Sequence, residues 1–358
     1  METELSLVDG ERGILVLRGK TLEELAPRTS VGAVAALLWS GVLPARAHRL
    51  LTEHEIERAL GDARSAAFAL LPRLGAALSL PDSMNALRAA MAQLPAAASE
   101  PADAVAEGAR LAGATAVFAA AWFRTSRGLP PLAPAPELSH AADYLRMLHG
   151  EAPNTAATRA LSTYLVTVAD HGMNASTYAA RVVASTGSDA VSAVVAAIGA
   201  LKGPLHGGAP GPVLDMLDAI ATPERAEAWL EAALTQGRRI MGMGHRIYRV
   251  RDPRAAVLER ALEELERSGT ARGRLPLARA VEHAALALLA RRHPERPLRT
   301  NVEFFTAVLL DALDIDRALF TPTFAVGRVI GWYAHVLEQQ KSGRLIRPDS
   351  HYVGPAAA

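Results

Sequence analysis

Apolar residues recur at three- and four-residue spacing through most of this chain, and that period commits it to helices. Val34, Leu37 and Leu38, then Ile56 and Leu60, each fall on one face of a 3.6-residue turn. Breakers cut the pattern at Gly41–Pro44, Pro72, Pro81, Pro95–Pro101 and the proline-rich Leu129–Pro136. The last holds a PxxP match and reads as a surface loop; Arg267–Leu275, rich in Gly, Ser and Arg, reads as an exposed one. Only the start departs, where Leu5–Val8 and Ile14–Leu17 alternate around Asp9-Gly10 as a β-hairpin. Strand–helix alternation and fixed-period repeats are absent, so the expected fold class is all-α.

A chain of 358 residues has room for roughly two domains. Its 38 basic and 37 acidic residues leave a net charge of +1, so no whole-molecule field argues for nucleic acid or a membrane surface. With no cysteine, a disulfide framework, a Cys-ligated metal and a thiol nucleophile are all excluded. Met1–Asp9 lacks the basic and apolar regions of a signal peptide, and apolar windows such as Val191–Leu201 are too short to cross a bilayer. The expectation is a soluble, cytoplasmic enzyme, with the Asn174-Ala175-Ser176 glycosylation triplet accidental. The near-exclusive use of Arg over Lys reads as compositional bias.

Three separated stretches carry chemistry. Gly203-Pro204-Leu205-His206-Gly207-Gly208 and Gly242-Met243-Gly244-His245 each set a histidine in glycine-rich backbone, which lets a ligand approach closely. The second continues through Arg246, Arg249 and Arg251 to Asp252-Pro253-Arg254, either a solvated helix face or a guanidinium clamp for carboxylates and phosphates. Asn301-Val302-Glu303-Phe304-Phe305 sends a lone carboxylate into an apolar run. Two imidazoles to polarise carbonyls, one carboxylate to take a proton and arginines for anions suit an enolate-forming, carbon–carbon bond-making site. Taken singly, His206 is equally a surface-turn histidine, and His171 is better read as a core histidine satisfied by backbone. No Walker pattern, no Gly-x-Gly-x-x-Gly after a strand and no metal-ligand spacing occurs.

Together these motifs resemble the citrate synthase family over nearly the whole chain. Asp9–Gly19 is similar to the family's N-terminal hairpin, and Ala169-Asp170-His171 with Met173–Thr177 to its central helix motif. Gly203–Gly208 and Gly242–Arg254 resemble its two histidine motifs, and Gly343–Pro348 with Tyr352–Pro355 its C-terminal tail. The resemblance implies a homodimer of two-domain helical subunits. Residues 1–207 and 315–358 would form a large domain, and 208–314 a small one closing over the site. It implies condensation of acetyl-CoA with oxaloacetate to citrate and CoA, with the coenzyme A thioester as substrate and no permanently bound cofactor or metal. His206 would bind the thioester carbonyl, His245 the ketone of oxaloacetate with His171 beside it, and Glu303 would abstract the methyl proton. Arg254 and Arg328 would hold oxaloacetate carboxylates, Arg347 would reach in from the partner subunit, and Arg249 would meet a CoA phosphate.

The chain departs from the family pattern at Glu303, where Asp is usual, at Pro210 in place of Asn, at Val168 and Gly172 around the central histidine, and at Asp82-Ser83 before Met84. The alternatives it leaves are a 2-methylcitrate synthase using propionyl-CoA, or a weakly active binding or regulatory paralogue. A carboxylate of pKa ~4.3 is a feeble base for a methyl C–H, and each unit of mismatch costs about 1.4 kcal/mol unless the enolate is stabilised.

Overall fold

The computed structural model describes residues 1–43, 49–95, 104–208, 210–269, 273–295 and 298–355. Pro44, most of Pro95–Pro101 and the middle of Arg267–Leu275, where breakers or loops were expected, lie outside these. β1 (Ser6–Asp9) and β2 (Ile14–Leu17) pair antiparallel, Ser6 opposite Leu17 and Asp9 opposite Ile14. A third strand, β3 (Lys20–Thr21), adds to β2; at two residues it is too short to show alternation in the sequence. Leu5, Leu15 and Leu17 bury this sheet's inner face completely.

Among the described residues the other regular elements, apart from an isolated Met243–Thr300 bridge, are helical, and polar caps start most helices. Thr21, Ser30 and Thr52 precede α1 (Leu22–Leu25), α2 (Val31–Ser40) and α3 (Glu53–Leu70), and Asp82 precedes α4 (Ser83–Met91). The Asp82-Ser83 departure is thus a cap, with Asp82 accepting from the Asn85 amide at 2.7 Å. Next come α5 (Ala104–Ser126), α6 (His140–His149), α7 (Thr155–Val168), α8 (Ala175–Ser185) and α9 (Ala190–Leu201). Then follow α10 (Pro210–Ile220), α11 (Ala226–Thr235), α12 (Pro253–Arg267), α13 (Leu275–Arg292), α14 (Val302–Ala312) and α15 (Phe320–Ser342). Pro210 opens α10, where a proline's missing N–H costs nothing.

Small side chains decide the packing. Alanines and glycines along α5 let it lie against α3, α4, α6 and α15, and a Cβ at Gly113 would stand 2.9 Å from the α3 backbone. One expectation needs correcting: α5 is long and apolar enough to cross a bilayer by length and composition. Yet 78% of its most apolar stretch is buried inside the protein, so it is a core helix. The Leu129–Pro136 segment is an irregular surface loop, as expected, and is pinned from beneath. Arg64, fully buried, pairs with Asp143 at 2.7 Å and donates to the Leu138 carbonyl at 2.8 Å, while Asp143 accepts from the Ala135 amide.

α15 runs through the core against α5, α7, α8 and α9, while α10 and α13 pack on α14 and α11 packs on α13. α12 bridges α7 and α14. The segments that carry the chemistry join these elements: residues 169–174 after α7, 202–208 after α9, 240–252 before α12 and 298–301 before α14.

Candidate active site

Gly172, with φ +56°, turns the chain sharply after α7 and leaves His171 buried against the next loop. Asn174 then caps α8, its Oδ1 accepting from the Ser176 and Thr177 amides at 3.1 Å, so the glycosylation triplet is spent on a helix start. His171 Nε2 lies 3.1 Å from Tyr248 Oη, and its ring stands edge-on to His245 with centroids 5.7 Å apart. The core-histidine reading had backbone as the partner; the partner is instead a tyrosine from the Gly242–Arg254 segment.

His245 is set by backbone. Gly242 and Gly244 hold φ of +76° and +86°, and a Cβ at Gly242 would stand 2.8 Å from Phe304. The Ile247 and Tyr248 amides both donate to His245 Nδ1, at 3.0 and 3.1 Å. A neutral imidazole that accepts at Nδ1 carries its proton on Nε2. Arg254 Nη2 approaches that Nε2 to 3.4 Å. Two nitrogens able to donate to a ligand oxygen therefore lie 3.4 Å apart. Asp252 caps α12 and pairs with Arg254 at 3.0 Å through Nε and 2.7 Å through Nη2; both residues are buried.

His206 sits in the tight turn expected of its motif, its amide donating to the Gly203 carbonyl at 2.9 Å. Its Nε2 lies 2.8 Å from Ser176 Oγ, which also accepts from the Trp332 indole at 3.0 Å. The ring stands over Phe324 of α15, centroids 6.4 Å apart, and Phe324 also carries the Arg328 guanidinium 4.7 Å above its face. Arg328 is buried and donates from Nε to the Val168 carbonyl, so the Val168 departure supplies backbone to the site.

Glu303 occupies the first turn of α14, behind the Asn301 cap, whose Oδ1 accepts its amide at 3.0 Å. The residue is half-buried, and among the described residues its Oε2 is enclosed without a hydrogen-bond partner. Burial pushes its carboxyl up to about 7; Arg254 and Arg328 pull it down and Asp252 pushes it up. The histidines move the other way. Burial, then Arg328 and Arg254, lowers His206 to about 4; burial and Arg254 lower His245 to about 4; burial, then Arg254 and Arg328, hold His171 well below its ordinary value. Arg328 is depressed by burial to about 10 and stays charged at neutral pH. Burial thus favours neutral imidazoles and a carboxyl readily protonated near neutral pH, beside two guanidinium groups.

His171, His206, His245, Arg254, Arg328 and Glu303 thus share one electrostatic neighbourhood. The rest of the arginine run does not. Arg246 and Arg249 are exposed, the latter with its amide on the Gly10 carbonyl at 2.8 Å. Arg251 pairs with Glu282 at 3.0 Å and Glu259 at 2.7 Å. Arg347 is exposed on the extended segment after α15.

A family model described as "Citrate synthase, C-terminal domain" matches residues 1–349. The chain belongs to the citrate synthase family. A 2-methylcitrate synthase of Mycobacterium tuberculosis is 39% identical over 358 residues, covering 98% of this chain and 88% of that protein. A citrate synthase of Haloferax volcanii is 36% identical over 373 residues, covering 99% and 93%. Among solved structures, citrate synthase from Thermotoga maritima superposes with a TM-score of 0.83 at 34% identity, covering 100% of this chain and 94% of that one. A ternary complex of carboxymethyl coenzyme A and oxaloacetate with citrate synthase from Thermoplasma acidophilum gives 0.85 at 27% identity, covering 100% and 94%.

Three residues in contact with this cluster, Tyr248, Ser176 and Asp252, and Trp332 behind Ser176, were not singled out from the sequence. Tyr248 had a faint signal, one aromatic within an arginine run. Ser176 and Asp252 stood inside quoted motifs without roles. Trp332 lies in the short apolar run between Arg328 and His335 of α15, where nothing marks it off from core.

Proposed function

We propose that this chain condenses an acyl-CoA with oxaloacetate and hydrolyses the resulting thioester, with acetyl-CoA as donor and citrate and CoA as products. The observation that carries the reading is a half-buried carboxylate with one oxygen unpartnered among the described residues, near His245 Nε2 and Arg254 Nη2, which lie 3.4 Å apart and can both donate to a ligand oxygen set at one spot. The ketone oxygen of oxaloacetate takes that spot, polarised by both donors, with its carboxylates on Arg254 and Arg328. His171, neutral and tied to Tyr248, flanks the same ligand.

Glu303 takes the proton from the thioester methyl group. A base near 7 is better matched to a carbon acid than an ordinary carboxylate. His206 stabilises the developing enolate. Ser176 gives its own hydroxyl proton to Asn174 Oδ1 at 2.8 Å, and its oxygen, 2.8 Å from His206 Nε2, orients the imidazole toward the thioester oxygen. The carbon nucleophile then attacks the polarised ketone, and water completes the hydrolysis of the citryl thioester. Glu303 is one methylene longer than the usual acid, and its place at the start of α14 supports a working base, not an inert paralogue.

The same reading gives residues 1–207 and 315–358 as a large domain and 208–314 as a small one whose closure excludes water. It gives a homodimer, because Arg347 is exposed in its own subunit and would serve the partner's site. It places a CoA phosphate near exposed Arg249. The identity to a 2-methylcitrate synthase makes propionyl-CoA the second donor to test. Thiol release from purified protein with oxaloacetate and either acyl-CoA is the experiment. Turnover is expected with at least one donor; oxaloacetate binding by calorimetry without any thiol release would make the protein a binding paralogue. Light scattering is expected to show a dimer, and a fully active monomer would refute the Arg347 assignment.

A further inference from the structure

The N-terminal hairpin touches both loops that present histidines to the ketone side of the cluster. Ser6 Oγ donates to Asp170 Oδ2 and accepts the Gly172 amide at 3.0 Å, so one hydroxyl ties β1 to the residues on either side of His171. The other Asp170 oxygen meets His335 Nε2 at 3.0 Å, and both groups are fully buried, which fixes the carboxylate from behind. Gly172 lies close under the same strand: a Cβ there would be 3.2 Å from Val8 Cγ2.

The turn of the hairpin meets the second loop. The Gly10 carbonyl accepts the Arg249 amide at 2.8 Å, and a Cβ at Gly10 would stand 2.3 Å from the Ile247 carbonyl oxygen. A Cβ at Gly13 would stand 2.5 Å from Val250 Cγ2. This is the stretch whose Ile247 and Tyr248 amides hold His245 Nδ1, and whose Tyr248 hydroxyl reaches His171. His171 and Tyr248, which join the two loops, are 77 positions apart in sequence, and in the proposed division the loops belong to different domains.

We infer that the hairpin is a positioning element for the ketone-binding half of the site, with Ser6 and Gly10 as its positioning residues. Ser6 fixes the loop of His171, Gly10 seats the loop of His245, and the short rigid sheet between them sets how the two imidazoles meet. The inference rests on the proposed reading that these histidines receive oxaloacetate. Neither Ser6 nor Gly10 touches the histidines, so the effect is one of alignment, to which a bound ketone is sensitive.

The test uses full-length Ser6→Ala, Ser6→Thr and Gly10→Ala with whichever acyl donor supports turnover. KM for each substrate, oxaloacetate affinity by calorimetry and Tm are measured together. Ser6→Ala and Gly10→Ala are expected to raise oxaloacetate KM and Kd about tenfold, with acyl-CoA KM within about twofold of wild type. Ser6→Thr, which keeps the hydroxyl, is expected to restore the wild-type oxaloacetate KM. If Gly10→Ala does not fold, the Ser6 pair decides. Folded variants with unchanged oxaloacetate affinity, equal losses for both substrates, or a lowered Tm with neither KM moved would overturn the inference. A wild-type chain that neither binds nor turns over oxaloacetate would overturn the functional reading itself, a result distinct from any of these.

Discussion

The two halves of the site are built to different standards. Around His245 and Arg254 nearly every group is fixed by a second one. Two amides hold the imidazole, and Asp252 holds the guanidinium. The loops before α12 and α14 are stitched by Gly244 N to Arg299 O at 2.6 Å, Asn301 N to Gly242 O at 3.0 Å and Asn301 Nδ2 to Gly244 O at 2.9 Å. Around His206 the imidazole has one side-chain partner, Ser176, and Leu205 beside it is 85% exposed. A small, doubly charged ligand needs its donors in place beforehand, because ordering them on binding would cost affinity. A long thioester brings enough surface of its own to order a looser half. The contrast predicts that damage to the first half falls on oxaloacetate binding and damage to the second on turnover.

Glu303 lies between the halves, and its loss should be the largest effect. Glu303→Gln keeps the shape and removes the base, so kcat is expected to fall roughly 10²–10⁴-fold with oxaloacetate affinity little changed. In the wild type the base must be ionised, and burial holds it near 7. The value of kcat/KM for the acyl-CoA should therefore rise about tenfold per unit below that pH and level off above it. A profile flat from pH 5 to 8 would take the base role away from Glu303. Glu303→Asp withdraws the carboxylate by one methylene, and a drop of up to ~10²-fold would show that the longer acid is correctly placed.

Asp252→Asn attacks the rigid half. It leaves buried Arg254 without its ionic partner while keeping most of the hydrogen-bonding shape. Truncating one side of a buried charge pair costs 2–5 kcal/mol, so oxaloacetate KM should rise about 10²-fold. Acyl-CoA KM should move far less. A comparable rise for both substrates would erase the distinction between the halves.

Ser176→Ala attacks the looser half. It removes the only hydrogen-bond partner of the His206 ring among the described residues and strips the Trp332 indole of its acceptor. The expected result is a kcat about tenfold lower, with oxaloacetate Kd by calorimetry within about twofold. If Kd moves as far as kcat, His206 and Ser176 act on the ketone side, and the assignment of the thioester to them is wrong.

Much of this was readable before any coordinates because the determinants were local. Glycines that must adopt positive φ, an Asx cap before Pro253 and a hairpin turn announce themselves within a few residues. The resemblance carried the site residues in the same way, motif by motif. What stayed hidden depended on distant contacts. Tyr248 reaches His171 across 77 positions, Trp332 reaches Ser176 across 156, and Asp170 meets Ser6 across 164. No periodicity encodes such pairs. The arginine run stayed open between a solvated face and a clamp for a related reason: spacing shows that charges are dense but not which partner claims each. Glu282 and Glu259 draw Arg251 away, and Asp252 fixes Arg254 next to His245.

The smallest effect concerns stability, and Glu303 again supplies it. Its folded pKa of about 7 lies above the ordinary carboxylate value of 4.5, so the native state favours the protonated acid. Its contribution is fully present below the unfolded pKa and is lost as pH rises through about 7, because the buried group must then ionise at a cost. Glu303→Gln has no charge to create and escapes that loss. The variant should match wild-type stability near pH 4.5 and exceed it by about 1–3 kcal/mol at pH 8, a Tm advantage of a few degrees. A Tm difference that stays constant between those pH values would show that Glu303 titrates normally. The base would then have to work from an ordinary carboxylate pKa, with the enolate side of the site supplying the difference.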